Sequence, residues 1–238
     1  MNIALLRPND HQFPDPRHGI AHYDGLVAIT VDLNPERMLA AYRRGIFPWF
    51  SEDGLFYWFC TAPRTVLLPE KLHISKSLAK TLRNKTYCIT VNQAFDYVVA
   101  ECACIPRPQQ EGSWITPYFQ EAYQTLHHLG HAHSFECWYP DQDEQWVLAG
   151  GFYGVQIGCV FYGESMFAHH PDASKIAFAK AVPFLQKCGI ALIDCQQNTQ
   201  HLARFGSELM AFDDFEQALQ RFNAMPLNMP ISQESYSH

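Results

Sequence analysis

The chain has 238 residues, 47% of them apolar, and a formal net charge of -7. That length can bury a full core as one large domain or two, and no apolar run approaches the ~18 residues of a membrane span, which excludes a membrane-spanning helix. The opening MNIALLRPNDHQFP lacks the charged start and apolar stretch of a signal peptide, so the protein is expected in the cytoplasm, away from membranes.

Residues 1–30, rich in Pro, His and Asp, read as mostly extended chain. DLNPERMLAAYRRGIFPWF then carries helix-start chemistry, with Asn34 as cap, Pro35 at the first helical position and Glu36 in the first turn. Met38, Leu39 and Tyr42 supply its apolar face, and Gly45 stops it ahead of a Pro-Trp turn. A small helical or irregular N-terminal domain is therefore expected over residues 1–63, and a larger domain over 64–238. In the latter, the pattern predicts a strand at Val66–Leu68, a basic helix at Ser75–Lys85, a strand at Tyr87–Val91, a helix at Ala94–Cys104 and a loop over 105–113. A helix at Thr116–Leu129 precedes three strands, Ala132–Trp138, Trp146–Tyr153 and Val155–Tyr162, with Gly154 as the tight turn between the last two. A helix at Ala173–Cys188, kinked or shortened by Pro183, a strand LIDCQ at 192–196 and a helix at Phe212–Phe222 complete the pattern, and residues 225–238 read as a frayed tail. This order predicts an α/β (α+β) fold, a sheet with antiparallel pairs and helices packed on it.

Charge is divided unevenly. Residues 1–90 hold 11 Lys/Arg against 8 Asp/Glu, and residues 91–238 hold 6 against 16. Arg64, Lys71, Lys76, Lys80, Arg83 and Lys85 stand against Glu70 alone, a patch suited to phosphate contacts that carry no sequence information; an ordinary solvated helix face is the plainer alternative. The acidic remainder suits a cationic second substrate. The eight cysteines show no C-x-x-C spacing and read as buried reduced thiols. His127, His128, His131 and His133 straddle a helix end at Gly130 and are expected to diverge, so no metal is expected; nor is a cofactor.

Two segments carry chemistry. FYGESMFAHHPDASK places Glu164 among Gly163, Met166 and Phe167, where a carboxylate needs a partner or its pKa rises. LIDCQ places Asp194 and Gln196 two apart, on one face of a strand, where a carboxylate and an amide can hold an amine or a water and relay its proton. A structural salt bridge at Glu164 is the bland alternative.

The fragments AYRRGIFPWF, LHISKSL, GSWIT, AHSFECW, GGFYGV, FYGESMF, ASK and LIDCQ, in this order over about residues 23–215, resemble the leucyl/phenylalanyl-tRNA-protein transferases. The resemblance implies transfer of Leu or Phe, and less well Met, from aminoacyl-tRNA to the N-terminal Arg or Lys of a protein, an N-end-rule degradation signal. It also implies an acetyltransferase-like (GNAT) second domain with a largely antiparallel mixed sheet, acting as a monomer. Asp194 and Gln196 match the family's catalytic Asp-x-Gln, and Glu164 the glutamate of GESMF. Tyr42, Trp49, Trp114, Phe161 and Met166, with Gly163 and Ile193 beside them, match positions lining the site for the aminoacyl side chain and terminal adenosine. Departures lie at Trp58-Phe59-Cys60-Thr61-Ala62, at Ser113 and near Met210 to Phe212. An activated ester needs no ATP and no covalent intermediate, which fits the lack of a nucleophile motif. An acyl-CoA transferase would need a glycine-rich pyrophosphate loop, which the sequence does not offer; a non-enzymatic RNA-binding module is the other rival.

Overall fold

The computed structural model describes residues 3–8, 10–106, 112–232 and 235–237, the last three as backbone. Up to residue 63 the elements are β1 (Ala4–Leu6), α1 (Pro16–His22), β2 (Leu26–Thr30), α2 (Pro35–Tyr42), β3 (Phe47–Glu52) and β4 (Leu55–Phe59). Then come β5 (Arg64–Leu67), α3 (Lys76–Asn84), β6 (Cys88–Val91), α4 (Phe95–Cys104), α5 (Pro117–His128), β7 (Ala132–Pro140), β8 (Trp146–Ile157) and β9 (Val160–Ala168). The chain continues through α6 (Ala173–Cys188), β10 (Leu192–Gln196), α7 (Gln200–Ala203), β11 (Glu208–Met210), α8 (Phe212–Phe222) and β12 (Ser235–Ser237).

Local chemistry accounts for several helix starts. Asn34 caps α2 by accepting from the Arg37 N–H, and Ser75 caps α3 by accepting from the Leu78 N–H, each satisfying a donor the helix cannot. Pro183 lies inside α6, which runs on to Cys188.

The N-terminal stretch is more regular than its composition suggests. Its strands form a sheet in the order β1-β2-β4-β3, and Pro48 and Trp49, expected in a turn, lie within β3. Pro48 is tolerated there because β3 is the edge strand. The second sheet runs β11-β5-β10-β9-β8-β7-β6-β12, with β9 and β10 parallel and the other described pairs antiparallel. The expected turn at Gly154 is wrong. β8 runs straight through it, the glycine meeting a close approach instead, since a Cβ there would lie 2.6 Å from the Phe161 ring and nearer still to the Tyr162 carbonyl oxygen, and Gly158, at φ 54°, serves the turn to β9. The tail also departs from expectation, since Ser235–Ser237 pair with Cys88–Thr90 as the outermost strand.

One apolar core joins the two sheets, combining Tyr42, Phe56 and Trp58 with Phe119, Tyr123 and Phe215. The other face of the large sheet packs under α6 through Phe135, Phe152, Ile176 and Leu185. Among the described residues no helix is long and apolar enough to cross a membrane, and no three His, Cys, Asp or Glu side chains gather as metal ligands would. The loop residues 107–111 lie outside the described residues.

Candidate active site

The site forms where the sheet loses its regularity. β9 and β10 pair in parallel only through Leu192, Ile193 and Asp194, opposite Val160, Phe161 and Tyr162. Just beyond, β9 has a bulge against β8, its register slipping between Ser165 and Gly163 so that Glu164 is the extra residue. β10 has a bulge against β5 at the same height, between Asp194 and Gln196, with Gln196 at φ 59°. Bulges re-aim side chains. Here they turn Glu164 and Gln196 toward each other, and the Gln196 side-chain N–H donates to Glu164 Oε1 at 3.0 Å.

Two tyrosines hold the carboxylate from beneath. Tyr42 donates to Oε1 at 2.8 Å and Tyr123 to Oε2 at 2.6 Å, while the two hydroxyl oxygens lie 3.0 Å apart. Loss of water around Glu164 pushes its pKa up to about 7, against the lowering pull of the Tyr123 and Tyr42 hydrogen bonds. The hydrogen count gives a physical reading of this state. Ionised Glu164 leaves two hydroxyl protons for three oxygen–oxygen contacts, whereas protonated Glu164 supplies a third, one for each. The same carboxylate has about four acceptor positions, of which Tyr42, Gln196 and Tyr123 occupy three. One position on Oε2 remains for an incoming N–H.

Asp194 does not share this face. The bulge breaks the two-residue alternation, and the Asp194 side chain is wholly buried in a bidentate pair with Arg64, Nε to Oδ1 at 2.8 Å and Nη2 to Oδ2 at 2.7 Å. Its Oδ1 also accepts from the Gln196 backbone N–H at 2.9 Å. Arg64 is in turn sandwiched between the Phe47 and Phe215 rings, each 4.9 Å away, and Thr61 donates to the Gln196 carbonyl at 3.3 Å. Asp194 and Arg64 thus clamp the backbone that presents Gln196. Arg64, expected among the phosphate-binding cations, is fully buried and unavailable to a polyanion.

Glu164 and Gln196 open into a cavity of about 660 Å³. Trp49, Trp114, Phe161, Gly163, Met166 and Ile193 line it, as do Phe152, Phe178 and Leu202, which sequence reasoning missed. Tyr42 lies beneath the cavity as a partner of Glu164. Tyr123, also missed, carries only the signal of a core-facing helix position four residues after Phe119, and Phe178 that of an apolar helix interior. Of the remaining expected cations, Lys71 is held by Glu208 at 2.8 Å and Lys85 lies 3.7 Å above the Tyr139 ring. Lys76, Lys80 and Arg83 are exposed along α3.

The family described as leucyl/phenylalanyl-tRNA protein transferase matches residues 66–220, and its N-terminal domain matches residues 31–62. A protein named leucyl/phenylalanyl-tRNA–protein transferase from Neisseria meningitidis serogroup C (strain 053442) is 59% identical over 97% of this chain and 96% of its own length. Another of that name from Anaeromyxobacter sp. (strain Fw109-5) is 52% identical over 86% of this chain and 85% of its own length. The solved structure of L-PGS from Bacillus licheniformis aligns with a TM-score of 0.36 at 11% identity, over 92% of this chain and 70% of that one, too slight a likeness to bear on fold or function. The chain belongs to the leucyl/phenylalanyl-tRNA protein transferase family and is an aminoacyltransferase.

Proposed function

We propose that the enzyme transfers Leu or Phe, and less well Met, from aminoacyl-tRNA to the N-terminal Arg or Lys of an acceptor protein in the cytoplasm, acting as a monomer and creating an N-end-rule degradation signal. The observation that carries this reading is the hydrogen-bonded couple Glu164 and Gln196 at a cavity whose wall is mostly apolar. Phe152, Phe161, Phe178, Met166 and Ile193 suit a Leu or Phe side chain, and Trp49 and Trp114 offer faces for the terminal adenine. A methylene is worth only about 1–3 kcal/mol in such a pocket, so Leu is selected over Ile incompletely.

In this reading the neutral α-amine donates one hydrogen bond to the Gln196 side-chain oxygen and one to Glu164 Oε2. Its nitrogen attacks the ester carbonyl carbon, the new C–N bond forms, and the bond from carbon to the ribose oxygen breaks. Glu164 takes the amine proton and returns it to the departing ribose oxygen, so no proton is left over. Holding amine and ester together supplies most of the acceleration, since the ester is already activated. Asp194 acts as a positioning residue through the Gln196 backbone. The acetyltransferase-like fold expected for residues 64–238 is supported by the parallel β9–β10 pair opening beside the site, and the division near residue 63 by the chain's passing from one sheet to the other between β4 and β5.

The test is incubation with leucyl-tRNA and a peptide beginning with Arg, without ATP. Peptide lengthened by one Leu is the expected product; none would refute the reading.

A further inference from the structure

A second recess, of about 370 Å³, adjoins the cavity just described, and His201 lines both. Its wall is polar where the cavity is greasy. Ser75, Ser77 and Thr81 of the α3 region face Lys175 of α6 and Arg204 at the end of α7 across it. One carboxylate is present, Asp172, which holds Lys175 Nζ at 2.7 Å. Arg204 is exposed and makes no ion pair with any described residue. Lys175 and Arg204 set against Asp172 leave the recess with an excess of positive charge, and burial, followed by those two cations, lowers the pKa of His201. The His201 Nε2 is itself buried without a hydrogen-bond partner. On the far side of Ser75 and Ser77, α3 presents Lys76, Lys80 and Arg83. A path therefore leads from the aminoacyl cavity, past His201, through a cationic hydroxyl-lined recess, to a basic helix face.

We infer that this recess binds the phosphodiester preceding the terminal adenosine of the aminoacyl-tRNA, with Arg204 and Lys175 as its cations and the hydroxyl proton left over by the hydrogen-bonded Ser75–Ser77 pair as a further donor. The inference rests on the reading of function above and deepens it. A single-stranded 3′ end threaded along this path leaves its ester beside Gln196 and hands its upstream phosphates to α3. A hydroxyl and a guanidinium read the phosphate and ignore the base, so every tRNA with the shared 3′ end is accepted.

Two small donors isolate the phosphate: the leucyl ester of adenosine, which has none, and the leucyl ester of cytidylyl-(3′→5′)-adenosine, which has one. For the unaltered enzyme, kcat/KM is expected to be about tenfold higher with the dinucleotide ester, the effect of one charge-assisted contact. Arg204→Glu, and more weakly Lys175→Gln, should abolish that advantage and leave transfer from the adenosine ester unchanged, which also shows that the variants fold. With leucyl-tRNA, Arg204→Glu should lessen the slope of log K against log salt by about one. A dinucleotide advantage that survives Arg204→Glu would overturn the inference. So would an equal fall with both small donors, a change confined to the KM of the acceptor peptide, or no dinucleotide advantage in an enzyme that does use leucyl-tRNA. An enzyme that transfers from none of the three donors would overturn the reading of function, and this inference with it.

Discussion

Glu164 and Asp194 look alike in sequence, each an acid amid apolar neighbours, yet their surroundings give them different work. Glu164 is held by three neutral donors and faces a cavity, so its proton is exchangeable near neutrality. Asp194 is fixed to a guanidinium inside the core, which ties up both its oxygens. Asp194→Asn strands the buried Arg64 charge and should cost about 3–5 kcal/mol of stability, measured by urea unfolding. It should also reduce transfer on the order of a hundredfold by releasing the Gln196 bulge. Because Glu164 remains, the pH dependence of the residual rate should keep its shape; a lost inflection would make Asp194 the base after all. The sequence made both acids conspicuous but gave no sign of their partners, since Arg64 is 130 positions from Asp194 and Tyr123 is 41 from Glu164.

At the scale of elements, the site depends on paired strand irregularities. An unbroken β9 and β10 would leave Glu164 and Gln196 in ordinary alternation, and the family's Asp-x-Gln spacing alone suggests that simpler picture. The cap at Asn34 and most helix spans were legible because such chemistry is local. The N-terminal sheet was not, because β1, β2, β3 and β4 are short and their pairing, not their composition, defines them. Gly154 was misread for a related reason: glycine signals a turn or a close approach, and the Tyr162 carbonyl and Phe161 ring pressed against it decide which. Gly154→Val should therefore destabilise the protein by about 2–4 kcal/mol through overpacking at the β8–β9 interface, seen as a lower urea midpoint. An unchanged midpoint would mean that the strands part freely there.

For the whole molecule, the uneven charge now has a place on the surface. Of the six cations expected to meet phosphate, Arg64 lies in the core, while Lys76, Lys80 and Arg83 lie exposed on α3, beside the recess that leads into the cavity. Changing these three to Glu should weaken leucyl-tRNA binding by at least tenfold at moderate salt and flatten its salt dependence, read by filter binding across a salt series. An unaltered slope would return α3 to an ordinary solvated surface. The shared core of the two sheets further implies that they unfold together, with Tyr42 of α2 directly supporting Glu164 of β9.

The most direct test of the central claim is the pH profile of kcat/KM for an Arg-initiated peptide, in the unaltered enzyme and in Glu164→Gln. The amine must lose a proton, with a pKa near 8, and Glu164 must be ionised, with a pKa of about 7. The logarithm of the rate constant should therefore rise with slope two below pH 7 and slope one between 7 and 8. Glu164→Gln should be slower by at least a hundredfold and show slope one up to pH 8, with no break near 7. An identical two-step profile in Glu164→Gln would show that another group accepts the proton.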